Sequence, residues 1–258
     1  MGENKIRSIS LGDGRSFKKA FLRWEWMLVL LLIAVNVMNI AISPNYLNTK
    51  NLASTMKIFL DKGIVAITMT MVLLLGEIDI SVGSMMALSG TIMGLVGNAG
   101  GNFLEVALAG LLTGTLCGFF NGFLITRFTE LSSTIITLAN QIFFRGIALV
   151  ILENRAYAEF PAGVKFMSWG SVFNVPFILV FFLLEVIGIT YLVHFTTFGR
   201  SLFAMGRNIK ASYYSGVKTD QIKIAVFTMN GMAASISSLF LISKLASARA
   251  NMAKNYDM

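Results

Sequence analysis

The side chains able to do chemistry in this sequence are few, and most stand inside or beside apolar runs: Glu77, Asp79, Cys117, Arg145, Glu185 and His194. A charged group in such surroundings is costly unless it faces water, a cation, backbone donors or an opposite charge. Asp79 lies between apolar residues at the junction of two such runs, where it either pins a broken helix or lines a path for a solute. Arg145 interrupts another run and needs a partner such as Asp79, Glu185 or helix-end carbonyls. Glu185 has no companion at a proton-relay spacing and reads as structural or snorkelling. His194 ends a run and reads as interfacial. With one cysteine and one histidine, an intrachain disulfide, a multi-cysteine metal site and a membrane-embedded metalloenzyme are all disfavoured, and no cofactor is expected. No G-x-x-x-x-G-K-[ST] loop cradles a phosphate, so the chain is not expected to be an ATPase, nor any other enzyme.

The elements that must carry these residues follow from composition. Of 258 residues 55% are hydrophobic and 13% charged, with mean hydropathy +0.72, against about 25% charged in soluble domains. A membrane-spanning helix needs about 20 mostly apolar residues. Runs free of Asp, Glu, Lys and Arg extend over 26–49 (span near 27–43, ended by Pro44), 80–102 and 106–126, with a last one over 224–243. Two more, 131–152 and 173–193, are interrupted only by Arg145 and Glu185. The stretch Gly63–Gly76 is too short to span alone and is expected to extend helically through Asn51–Lys62, whose charges would face protein or the interface. The expected fold is all-α: a polytopic transmembrane bundle of about seven spans, with broken or re-entrant helices near 76–90. Gly76, Gly83 and Gly90 with Ser81, Ser84 and Ser89 would allow close helix packing there, although discontinuous helices are also where transporters place solute sites.

Basic residues orient the spans, since short cytoplasmic loops carry the Lys and Arg excess. Residues 1–25, with Lys5, Arg7, Arg15, Lys18, Lys19 and Arg23, are expected in the cytoplasm, and the domain from 26 to 258 in the membrane. Their polar, basic character also differs from a cleaved signal peptide. The second cluster, Arg200, Arg207, Lys210, Lys218 and Lys223, shares their side only if an even number of crossings separates the two, which the short second span supplies. Residues 244–258 would then lie outside, yet carry Lys244, Arg249 and Lys254, so that end is expected to be re-entrant or followed by a further segment. The net charge of +8 is spread over these loops, and no nucleic-acid partner is expected.

The stretch Leu75-Gly76-Glu77-Ile78-Asp79-Ile80-Ser81-Val82-Gly83-Ser84, followed by Ala87-Leu88-Ser89-Gly90, resembles the "GGIDLSVGS...ALSG" signature of permease subunits of bacterial carbohydrate ABC importers, the ribose and autoinducer-2 type. Asn121-Gly122, Thr137-Leu138, Phe144-Arg145-Gly146, Phe198-Gly199-Arg200 and Ala204-Met205-Gly206-Arg207-Asn208 agree in order. Glu77 departs from the pattern, standing where the family often has Gly. The resemblance implies a multi-pass protein of the bacterial plasma (inner) membrane with its N-terminus cytoplasmic. It also implies a longer chain, so this sequence is expected to be C-terminally truncated.

The same resemblance implies a sugar or sugar-like solute and three partners besides the lipid bilayer. These are a cytoplasmic ABC ATPase dimer, a second copy or homologous permease, and an extracytoplasmic solute-binding protein. In the loop 195–223, residues Lys210-Ala211-Ser212-Tyr213-Tyr214-Ser215-Gly216 resemble the "EAA...G" coupling helix that docks on the ATPase, with Lys210 in place of the usual acid. Asn208–Val217 reads as a short helix stopped at Gly216, and Gly199 and Arg200 belong to the same loop. Asp79, Ser81, Gly83, Asn121 and Arg145 are the expected solute-path or helix-break residues. Rival readings are a basic loop drawn to anionic headgroups, an ion-coupled secondary transporter, and an inactive truncated permease.

Overall fold

The computed structural model describes residues 24–153 and 155–256; the basic N-terminal residues that orient the sequence reading lie outside them. Ten α-helices account for most of the described chain: α1 (Trp24–Ile42), α2 (Thr49–Leu74), α3 (Val82–Asn98), α4 (Phe103–Arg127), α5 (Ser133–Leu152), α6 (Ala162–Trp169), α7 (Phe177–Phe195), α8 (Thr197–Arg207), α9 (Ile209–Tyr214) and α10 (Thr219–Leu245). Between α6 and α7 runs a hairpin, β1 (Ser171–Val172) paired antiparallel with β2 (Val175–Pro176), and a 3₁₀ turn occupies Lys254–Tyr256.

All seven apolar runs become helices. Helices α4, α5, α7 and α10 are long and apolar enough to cross a membrane, and Trp26–Ile42 and Val82–Asn98 are shorter apolar helices. The short run at Gly63–Gly76 supplies the second half of α2, which extends helically through Asn51–Lys62 as expected and begins at Thr49. Asp61 of α2 is buried and bonded by the Lys244 ammonium and by the Tyr256 hydroxyl (2.8 Å), while Lys57 Nζ donates to the Trp169 carbonyl (3.3 Å). The region 153–176, read from sequence as a loop and the start of a span, contains α6 and the hairpin instead. Such short elements leave no periodicity to read.

The described residues form two compact units, divided between Leu52 and Ala53. In the first, α1 presents exposed apolar side chains along its length, and Tyr46 Oη donates to Asn36 Oδ1 (2.8 Å). In the second, α10 is the axis, and its closest partner is α4. Gly114, Gly118 and Gly122 recur every four residues on α4, so they share one face. A Cβ on Gly118 would lie 2.3 Å from the Phe227 carbonyl oxygen, and one on Gly231 would lie 2.2 Å from that of Gly114. Backbone therefore meets backbone along this seam, a close approach that only small residues permit between membrane helices.

Helix α3 is sheathed almost completely: every residue from Ser81 to Thr91 is buried. Helix α7 is the opposite, with Leu183, Leu184, Ile187, Tyr191 and Phe195 all exposed, the surface of a helix that faces lipid. After α10 the chain reverses at Ala246, in the left-handed region (φ 51°). It then packs back on the bundle with Ala248, Ala250, Met252 and Ala253 buried. Met252 reaches Gly90 of α3, where a Cβ would lie 2.0 Å from the methionine methyl.

Candidate functional site: a pinned helix break and an exposed short helix

Helix α2 ends because Gly76 adopts φ +75°. Its N–H bonds the Leu73 carbonyl (2.9 Å), and Glu77 N–H bonds that of Val72 (3.2 Å), the two bonds of a Schellman stop. The backbone is irregular from Glu77 until α3 begins at Val82, with Ser81 already in the helical region (φ −82°, ψ −2°), so Ile78, Asp79 and Ile80 cannot bond within a helix. Other helices supply the partners. Ile78 N–H donates to Ser133 Oγ (3.2 Å) and Ile80 N–H to Thr137 Oγ1 (3.2 Å), both on α5.

Asp79 lies at the centre, 2% exposed. Its Oδ1 accepts from Ser81 N–H (2.9 Å) and Ser81 Oγ (2.7 Å), and its Oδ2 accepts from Asn230 Nδ2 (2.9 Å) of α10. Asn230 Oδ1 in turn accepts from Thr68 Oγ1 (3.0 Å) of α2. On the other side Asn121 Nδ2 of α4 donates to Ser81 Oγ (2.7 Å), and its Oδ1 accepts from Asn140 Nδ2 (2.7 Å) of α5. One buried chain of hydrogen bonds thus joins α2, the break, α4, α5 and α10. Gly83 is buried in the first turn of α3, directly after it. Of the five residues named from sequence, Asp79, Ser81, Gly83 and Asn121 come together here.

Arg145 does not join them. It is half-buried on α5, and its Nη1 donates to the carbonyls of Ala250 (3.0 Å) and Met252 (3.4 Å), fastening the return segment. Glu185 is half-buried on α7, and His194 is exposed at its end, with Nδ1 3.1 Å from the Thr190 carbonyl.

Sequence reasoning missed Thr68, Ser133, Asn140 and Asn230 because it looked for ionisable groups. The signal available was a carboxamide inside an apolar run, itself costly to bury without partners. It also left Glu77 without a role. In the structure Glu77 Oε1 meets Lys223 Nζ of α10 at 2.5 Å, with both side chains mostly shielded, at 17% and 15% exposure.

The loop 195–223 folds into α8 and α9, at the end of the bundle where α7 finishes and α10 begins. Gly199 makes the turn tight, since a Cβ there would lie 1.8 Å from the Val193 carbonyl oxygen. Asn208 caps α9 by accepting from Ala211 N–H (3.0 Å). Gly216, at φ +85°, closes it with the same stop that ends α2: Gly216 N–H to the Tyr213 carbonyl (3.0 Å) and Val217 N–H to that of Ser212 (3.1 Å). Ser212 turns inward and bonds the Asn208 carbonyl (2.9 Å). Arg200, Lys210 and Ala211 point out, and Tyr213 and Tyr214 are 64% and 85% exposed. The nine loop residues named from sequence therefore divide into four that build the turn and five that form its outer face.

Comparison with known proteins places this geometry. A family model described as "Branched-chain amino acid transport system / permease component" matches residues 51–258. The "Autoinducer 2 import system permease protein LsrC" of Yersinia pseudotuberculosis serotype O:3 (strain YPIII) is 33% identical over 182 residues, covering 70% of this chain and 52% of that protein. The protein of the same name from Yersinia pestis (strain Pestoides F) is 32% identical over the same coverage. The chain spans about half the length of the curated relatives it matches. No solved structure matches it.

Proposed function

Because the chain belongs to the permease family of the branched-chain amino acid transport system type, we propose that it is a membrane-spanning permease subunit of an ATP-binding cassette importer for a sugar or sugar-like solute. The solute class follows the printed function of the relatives, autoinducer 2 import. ATP hydrolysis belongs to a separate cytoplasmic ATPase dimer. A second permease copy or homologue completes the pathway, and an extracytoplasmic solute-binding protein delivers the solute. The N-terminus and the α8–α9 turn face the cytoplasm, and the protein resides in the bacterial plasma (inner) membrane.

The observation that carries this reading is the construction of α9. A six-residue helix is too short to be stable alone, yet here a side-chain cap, an inward serine and a glycine stop hold it while two adjacent tyrosines stand in solvent. Rigid exposed aromatics are the residue type that dominates protein interfaces. Arg200 and Lys210 set the charge of the surface, so the ATPase groove opposite them is acidic.

Nucleotide-driven closure of the ATPases moves α9, and α10 starts five residues after it. Four residues into α10, Lys223 holds Glu77, two residues from Asp79 at the pinned break. Closure thereby biases the bundle between inward and outward states through a discrete, fully bonded element. In this reading Asp79, Ser81, Gly83 and Asn121 hold the break, and Arg145 holds the return segment.

The test is copurification of the encoded ATPase with the chain in detergent. The variant Tyr213→Ala/Tyr214→Ala keeps the cap and stop of α9 intact and is expected to bind the ATPase about tenfold or more weakly. Undiminished association would sink the assignment. In vesicles, uptake should require internal ATP and survive collapse of the ion gradients; the reverse result would make the chain an ion-coupled transporter.

A further inference from the structure

A cavity of about 310 Å³ opens at the Leu152 end of α5, lined by Leu149, Arg155, Ala156, Arg249, Ala250 and Asn251. It forms where the strand leaving α5 meets the return segment, joined by the bridge between Tyr157 and Ala248 (N–H to carbonyl 3.2 and 2.8 Å). One turn below Leu149, Arg145 grips the Ala250 carbonyl and so fastens the cavity floor.

Two exposed guanidiniums, Arg155 and Arg249, therefore share one small concavity. Glu153 Oε2 lies 3.5 Å from Arg155 and is 70% exposed, a weak and screened competitor. Beneath the cavity runs an apolar surface stripe at helical spacing, Ile135, Leu138, Ile142 and Leu149, all exposed. Gly146 interrupts it, and a Cβ there would meet nothing within 4 Å, which leaves a shallow channel down the helix. The 20 residues of α5 measure about 30 Å, the thickness of the hydrocarbon core. Arg155, three residues past its end, lies at headgroup depth.

We propose that this cavity binds the phosphodiester of a phospholipid, with Arg155 and Arg249 on the phosphate oxygens and an acyl chain laid along the stripe past Gly146. Guanidinium forks match phosphate oxygens in geometry and charge. The continuity of cavity and stripe selects a lipid over a soluble anion, which would use the rim alone. This site requires only that α5 face lipid and is independent of the solute or the ATPase.

The test is native mass spectrometry of the full chain in a neutral detergent, titrated with phosphatidylglycerol. One bound lipid is expected. Arg155→Gln/Arg249→Gln, both exposed positions, should weaken it roughly 30-fold, the contribution of two interfacial basic residues. Gly146→Leu should weaken it with all charge retained. Thermal unfolding without lipid, unchanged in both variants, separates loss of binding from loss of fold. Wild-type affinity in the glutamine pair overturns the site. Displacement by inorganic phosphate at equal concentration would make it a soluble-anion site and overturn the lipid assignment, as would a protein dimer appearing in place of the lipid adduct.

Discussion

Three donors, from Ser81 and Asn230, meet the two oxygens of the buried Asp79. The cost of disturbing this chain should fall with distance from the carboxylate. Asn230→Leu removes the Nδ2 donor to Oδ2 and one of the two acceptors facing the Thr68 hydroxyl, leaving it the Val65 carbonyl. Stranding a buried charged group costs more than about 1–3 kcal/mol, and unfolding in detergent should report at least that. Asn140→Ala ends the chain one link early, leaving Asn121 Oδ1 short of a donor, and should cost about 1 kcal/mol. Equal effects for the two would mean that the residues act separately. Asp79 was legible because a carboxylate in an apolar run cannot be overlooked. Of its partners Ser81 was named beside it, but Asn230 and Thr68 were not, because Asn and Thr are compatible with a surface loop until their neighbours in space are known.

At the level of elements, helices were legible from hydropathy and their stops from glycine. Gly216 stood out as a left-handed stop in the sequence, and Gly76 turned out to use the same bond pattern. Replacing either with alanine forces a Cβ into the left-handed region at about 1–2 kcal/mol. The glycines of α4 were equally visible at four-residue spacing, but their meaning depends on which helix lies opposite. Two substitutions separate packing from propensity. Gly118→Ala must displace the Phe227 backbone and should lower the unfolding free energy by about 1–3 kcal/mol or more. Gly188→Ala in α7 meets open space and should raise it by about 0.5–1 kcal/mol, as expected for glycine inside a helix. If both behave alike in detergent unfolding, the seam is not as tight as the geometry requires. The helix α6 and the hairpin were illegible, being too short to impose a period.

Across the whole molecule, the shielded pair Glu77–Lys223 links the break to the first turns of α10. Because Glu77 departs from the family pattern, its partner could not be inferred from the resemblance. Glu77→Lys and Lys223→Glu should each destabilise the fold, and the double reversal should recover a coupling energy of about 0.5–3 kcal/mol. Unfolding measurements on the four proteins check it, and additive losses would dissociate the pair. Sidedness is testable at the same scale: labels at the N-terminus and beside Lys210 should react from one face of the membrane.

The glycine seam between α4 and α10 has a mechanical corollary. Where two main chains touch with no side chains between them, no rotamer can swing aside to let one slide past the other. The pair is thus expected to move as one stiff unit. Any bending between elements is then expected first at Gly76 and Gly216, where the backbone turns through the left-handed region.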